Sequence, residues 1–417
     1  MASDQSVPAG PGLPSALVRF VQFVPVGAVV VVLLDSATDF LPDDPVEPVV
    51  GLLTPTRLTL LLGLLALVVP VRGRARARLR DFRTRLDAPI ALLIAAAGMA
   101  TYAGGHPTAP LRGLLTVIAC YYLVVGVRRT QPDSWRAIGI IALTGVAAAA
   151  TSAFSQVTND TPTGFCRTGF LTDIACGTSG ADDILIRATG TFANPNLLAA
   201  FLVLLLPFAL LAAVCVDERT ARTAVVTLVV IGYGALLTTF SRAGYVAGAA
   251  GLLVLAGAYR LTPRLADRAQ RRLFATLGTL ALLTAAGAIW AVSRAGNSLG
   301  VRGQAWEAAL GLAADNPLGV GLARSGAAIS AAAPGDRVFV HAHNLWLNWL
   351  VEAGPLGLLA ITAIAVIAWS SAARAARAKS ATGTVGLAAL TGFFLTSMLD
   401  HPANLDRIDI LFWCVLP

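Results

Sequence analysis

Two histidines two positions apart, His341 and His343, open the stretch HAHNLWLNWLVEAGPLG. Imidazole titrates near neutral pH, so a histidine at a loop mouth can take a proton from a hydroxyl. It can equally ligate a metal or serve as a buried hydrogen-bonding residue. With neither a third His nor a suitable Cys close by, the pair makes a poor zinc site. His106 and His401 leave a composite site open, but no recognisable ligand spacing links them. The residues that follow predict a short helix over 344–352. Asn344, Asn348 and Glu352 fall four apart on one polar stripe, and Trp346, Leu347, Trp349 and Leu350 cover much of the rest. Gly354 suits the position just past a helix end, and Pro355 can open the next helix.

Three arginines are candidates for holding an anion. Arg242, in TTFSRAGY, lies between two apolar runs with almost no loop. A charge at bilayer depth is costly and usually has a partner. Ser241 can cap the helix that follows, whose N-terminal dipole adds to the guanidinium; the alternative is an arginine snorkelling to head groups. Arg302 opens a predicted helix over 302–314, on one face with Trp306, ended by Asn316-Pro317 and followed by the turn glycines Gly319 and Gly321. An exposed loop charge is its plain alternative. Arg187 precedes GTFANPNLLAAF, where Asn194 is an N-cap and Pro195 a first-turn residue. It is either a phosphate ligand or half of an ion pair with Asp182 or Asp183.

These residues need a scaffold, and composition says which kind. Hydrophobic residues make up 56% of the chain and charged residues 13%, with mean hydropathy +0.72. That excludes a water-soluble core and implies an all-α, polytopic membrane helix bundle spanning 1–417 as a single domain. Apolar runs long enough to cross a bilayer fall near 16–34, 55–71, 88–104, 110–127, 135–153, 195–215, 223–240, 243–259, 273–292, 355–373, 382–399 and 408–417, about twelve spans. The first is expected to remain as a span rather than be cleaved as a signal peptide.

A net charge of +8 does not indicate nucleic acid, because the arginines concentrate in short links between apolar runs. With the N-terminus inside, 21 of the 31 basic residues lie on the inner side. The long segments 154–194 and 293–354 then face outside, and with them the His341 stretch. In that oxidising setting Cys166 and Cys176 are expected to form a disulfide. Nothing reads as a nucleotide-sugar metal motif Asp-x-Asp, a phosphate loop or a nucleophile elbow, and GVGLARSG follows no strand.

Taken in order, RATGTFANPNLLAAF, TTFSRAGY, RGQAWEAALGLAADNPLGVG and HAHNLWLNWLVEAGPLGLL resemble the O-antigen ligase and O-antigen polymerase superfamily over residues 187–373. The closing SMLDH and LFW resemble it weakly. The resemblance implies a GT-C-like membrane glycosyltransferase with a large helical extracytoplasmic loop, in the cytoplasmic (inner) membrane with its site facing outside. It implies no metal and no cofactor. The donor would be a polyprenyl-diphosphate-linked glycan, the acceptor a glycan, lipid or protein. By position, Arg242 and Arg302, with Arg187, would bind the donor diphosphate. His343 would be the base, with His341 as its alternative, supported by Ser241, Asn344, Asn348 and Glu352.

Two other classes compete. A transporter shares the span count, but its charges tend to sit near the midplane rather than at the outer ends of spans. A peptidoglycan-type polymerase shares the many-span plan and would put an acidic outer-loop residue, Glu307 or Asp336, in the leading role.

Overall fold

The computed structural model describes residues 15–42, 53–68, 79–131, 134–168, 172–174, 176, 184–260 and 301–416. The expected span 273–292, Asp182 and Asp183 lie outside them, as do parts of the second and last spans and of both long loops. Thirteen α-helices are present among the described residues. They are α1 (Ser15–Thr38), α2 (Pro55–Val68), α3 (Asp87–Ala103), α4 (Ala109–Thr130), α5 (Trp135–Thr158), α6 (Pro195–Val214), α7 (Arg219–Thr238) and α8 (Arg242–Arg260). After these come α9 (Val301–Asp315), α10 (Ser325–Ala332), α11 (Leu345–Arg377), α12 (Ala381–Ser397) and α13 (Asp406–Val415).

Among the described residues, five helices are long and apolar enough to cross a membrane: α4, α5 from Arg136, α6, α7 and α11. Apolar stretches of α1, α2, α3, α8 and α12 are shorter, so the expected dozen is not reproduced as a count. A second departure is from all-α. Three short strands, β1 (Cys166–Thr168), β2 (Thr172–Ile174) and β3 (Ile184–Ile186), form an antiparallel sheet in the order β2-β1-β3 within the expected 154–194 loop. That loop also starts later than expected, because α5 continues to Thr158. The apolar-run criterion detects neither, since it reads length and hydropathy and not pairing.

The bundle is organised around α6. Every residue from Leu198 to Ala209 is buried, as expected of a helix that is apolar on all sides. It packs against α5, α7, α8 and α12. Helix α8 crosses α12 closely: a Cβ on Gly392 would meet Ala247 O, and one on Gly251 would meet Ala388 O. The rising and falling numbers make this pair antiparallel, with Arg242 at the level of the α12 C-terminus.

Helix α13 is closed onto the bundle by Arg407. Its Nε and Nη2 donate to the carbonyls of Ser36 and Ala37 at 3.0 Å, and its Nη1 donates to Thr191 O at 3.1 Å. Asp39 lies 3.5 Å away and the Phe192 ring 4.4 Å from the guanidinium carbon. One side chain thereby joins the end of α1, the approach to α6 and the start of α13.

The predicted stop at Gly354 appears as a break inside α11, where this residue has φ 67 and ψ −169. Pro355 has no N–H to donate to Val351 O. A turn from the large loop supplies the missing donors: Val320 N–H reaches Val351 O at 2.8 Å and Gly321 N–H reaches Glu352 O at 3.1 Å. A Cβ on Gly354 would collide with Pro317 O, and one on Gly321 with the His106 ring of the α3–α4 turn. Gly354→Ala should therefore lower the melting midpoint of the purified protein, with strain on the order of 1–3 kcal/mol from the backbone alone. An unchanged midpoint would show that the break does not hold the loop.

Candidate functional site

The polar stripe is real, and each member is spent on a different segment. Asn344 caps α11 by accepting Leu347 N–H at 3.0 Å, and its Nδ2 donates to Met398 O at 2.9 Å, just past the end of α12. One turn on, Asn348 Oδ1 accepts Ala342 N–H at 3.2 Å, between the two histidines. Glu352 Oε1 accepts the Ser325 hydroxyl at 2.6 Å, at the start of α10. All three are buried. A buried polar group must be paired, so one helical face fixes three loops at once.

Those loops bring His341, His343 and Asp400 together. His341 Nε2 lies 3.5 Å and His343 Nδ1 3.6 Å from Asp400 Oδ1. The same oxygen accepts His401 N–H at 2.8 Å. His343 N–H donates to His341 Nδ1 at 3.0 Å, and His343 itself has φ 51, in the left-handed region that a non-glycine residue seldom occupies. The His341 and His343 rings are 4.5 Å apart, and the His341 and His401 rings 5.7 Å.

This geometry separates the two histidines. His341 uses its Nδ1 lone pair on a backbone N–H, so its neutral form carries the proton on Nε2, toward Asp400. His343 turns Nδ1 toward Asp400, which leaves Nε2 for a substrate hydroxyl. Its side chain is also 28% exposed against 11% for His341. A metal would meet three groups whose ligand atoms lie within 4.8 Å of one another, His341, His343 and Asp400. It would need the His341 Nε2 lone pair, which this tautomer does not offer.

Burial pushes His341 down to about 4, and Asp400 only partly restores it. Burial, then His341, pushes His401 down to about 3. Burial alone would raise Asp400, but the imidazoles of His343 and His341 and the His401 N–H outweigh it and hold the carboxyl at about 2. His341 and His401 are therefore neutral imidazoles beside one carboxylate.

Arg302, near the start of α9, is close enough for its charge to press His341 further down. Arg242 begins α8 at the level of Ser397, three residues before Asp400, by the α8–α12 register. Ser241 caps this helix, its Oγ accepting Gly244 N–H at 3.3 Å. Arg187 is engaged differently from a simple phosphate ligand: Nε donates to Thr239 O at 3.0 Å and Nη2 to Asn196 Oδ1 at 3.3 Å. Cys166 and Cys176 are joined at 2.07 Å. Glu307 and Asp336 are both exposed. A cavity of about 290 Å³ lined by Arg128, Ser371 and Ser380 lies at the opposite helix ends.

Asp400 is the residue that sequence reading passed over. An acid that directly follows an apolar span beside a His was the available signal, since ionisable groups at membrane depth are seldom idle.

Residues 226–362 match the family described as O-antigen ligase. That stretch holds α8, α9, α10, both loop histidines and the first part of α11, while Arg187 and Asp400 fall outside it. No curated protein matches the chain. The match covers about a third of the chain and supports the O-antigen ligase and polymerase superfamily, in keeping with the several helices long and apolar enough to cross a membrane among the described residues.

His341 and His401 are held neutral in the folded protein, whereas an unfolded chain protonates them near the ordinary value of 6.5. Between pH 6.5 and about 4 the unfolded state binds more protons, so stability is complete above 6.5 and falls as the pH drops. Melting midpoints measured from pH 7 to 4.5 should fall, and His401→Asn should flatten the profile. A midpoint that rises on acidification would contradict the burial of neutral rings.

Proposed function

We propose that this protein moves an oligosaccharide from a polyprenyl-diphosphate donor of the undecaprenyl type to an acceptor hydroxyl at the outer face of the cytoplasmic membrane, as an O-antigen ligase-like glycosyltransferase. The observation that carries the reading is His343 set against Asp400, with Arg302 within electrostatic reach of the same cluster. Sidedness is supported by the helix ends. Arg128, Arg129, Arg219, Arg222, Arg374 and Arg377 lie at ends opposite the histidines, in keeping with a positive inner side.

His343 Nε2 takes the proton of the acceptor hydroxyl while the oxygen attacks the anomeric carbon. The bond from that carbon to the phosphate oxygen breaks, and the diphosphate leaves on its polyprenyl chain with the electron pair. Attack opposite the leaving group inverts the anomeric configuration. Asp400 holds the His343 ring and stabilises its protonated form. Arg242 and Arg302 neutralise the charge that develops on the diphosphate, which needs no metal. Arg187, through Thr239 O, holds the turn that presents Arg242. The acceptor is a glycan, a lipid or a protein; a lipid-linked chain as acceptor makes the same chemistry a polymerase.

Purified protein supplied with a polyprenyl-diphosphate oligosaccharide and candidate acceptors tests this. His343→Ala should lose on the order of a hundredfold or more in kcat. Arg242→Ala and Arg302→Ala should each lose on the order of a hundredfold. Asp400→Asn should fall at least about tenfold and shift the pH profile of kcat. Chelators should leave the rate unchanged, and the product linkage should be inverted. Full activity in His343→Ala, or loss of activity on chelation, would overturn the mechanism.

A further inference from the structure

The turn between α7 and α8 presents Arg242, and its own backbone is held from outside. Four successive carbonyls there each have a donor. The Tyr245 hydroxyl donates to Leu237 O, Ala188 N–H to Thr238 O at 3.0 Å, Arg187 Nε to Thr239 O at 3.0 Å, and Arg167 Nη1 to Phe240 O at 3.2 Å. Phe240 is in the left-handed region, φ 49, a conformation that a bulky L-residue keeps only when its surroundings impose it. Ser241 N–H then donates to Thr239 Oγ1, and Arg242 begins the helix.

Arg167 is the unexpected member of this set. It is 1% exposed, and its guanidinium carbon lies 5.5 Å from the centroid of the Phe240 ring. A buried guanidinium is retained only where fixed acceptors and a π-face receive it. Here one such acceptor and the π-face both belong to Phe240, the residue two positions before Arg242. Arg167 is the middle residue of β1, paired with Asp173 on one side and Leu185 on the other. Its neighbour Cys166 carries the disulfide to Cys176. Strand, disulfide and arginine therefore form one rigid arm that ends on Phe240.

We propose that Arg167 is a positioning residue for the donor diphosphate, acting through Phe240 on Arg242, and that the Cys166–Cys176 bridge keeps it in place. The inference rests on Arg242 as a diphosphate ligand. Without the arm, Phe240 relaxes from its left-handed conformation, the α8 N-terminus reorients, and the Arg242 guanidinium leaves the position it holds for the phosphates. Donor binding then weakens, while the His343–Asp400 centre, held by α11, is untouched.

The test is steady-state kinetics with donor and acceptor varied separately, on wild type, Arg167→Ala, Arg167→Lys and Cys166→Ser/Cys176→Ser. Arg167→Ala should raise the donor KM on the order of tenfold and lower kcat in the same direction as Arg242→Ala but by less, leaving acceptor KM within about twofold. Arg167→Lys, which still donates to Phe240 O, should recover part of that loss. The bridge-free variant should show the same donor-specific rise, and it carries the test if Arg167→Ala does not fold. Unchanged donor KM in the folded variants would overturn the inference, as would equal rises in donor and acceptor KM. If Arg242→Ala leaves donor KM and kcat unaltered, the diphosphate assignment itself is wrong, which a failure at Arg167 alone does not imply.

Discussion

The site depends on a requirement imposed by burial. Helix α11 places Asn344, Asn348 and Glu352 on a face shut off from water, and each must find a partner. An unmet buried hydrogen-bonding group costs on the order of 1–3 kcal/mol. The partners that meet the requirement are Met398 O and the Ser325 hydroxyl, from segments distant in sequence, and Ala342 N–H, from the loop that leads into the helix. Two of those contacts flank functional groups directly: Ala342 lies between the histidines, and Met398 lies two residues before Asp400. Satisfying the helix and bringing His341, His343 and Asp400 together are one event.

The same economy appears at the helix break. A proline one residue past Gly354 leaves Val351 O without its helical donor, and the turn at Val320 and Gly321 answers it. The large loop is thus hydrogen-bonded into the end of a membrane helix and not merely tethered to it. Arg407 does for α13 what the stripe does for the loops, since its donors are distributed over carbonyls from α1 and the approach to α6. Both devices use the polar groups that helix ends leave unpaired.

Electrostatically, the two ends of the bundle differ in kind. At one end, arginines close short connections between apolar helices. At the other, arginines are drawn inward: Arg167 and Arg187 onto the carbonyls of the α7 C-terminus, Arg302 toward the histidine cluster. Carbonyls at a helix C-terminus carry partial negative charge and favour cations. A positive end built this way favours an anion.

Hydropathy and residue spacing determined a good deal of this protein by themselves. The helical membrane class, the stripe of Asn344, Asn348 and Glu352, the stop at Gly354, the caps at Asn194 and Ser241, and the closeness of Cys166 to Cys176 are local properties. Each depends on periodicity or on φ/ψ preferences acting over a few residues. What only the tertiary structure decided is long-range pairing. Asp400 meets His343 across 57 residues and Arg167 meets Phe240 across 73, contacts that no local preference encodes. The different surroundings of His341 and His343 are of the same kind, because one backbone N–H and one distant carboxylate set the contacts of each ring. The small sheet, too, was hidden, since three strands of three residues are too short for alternation to register and exist because their partners are near.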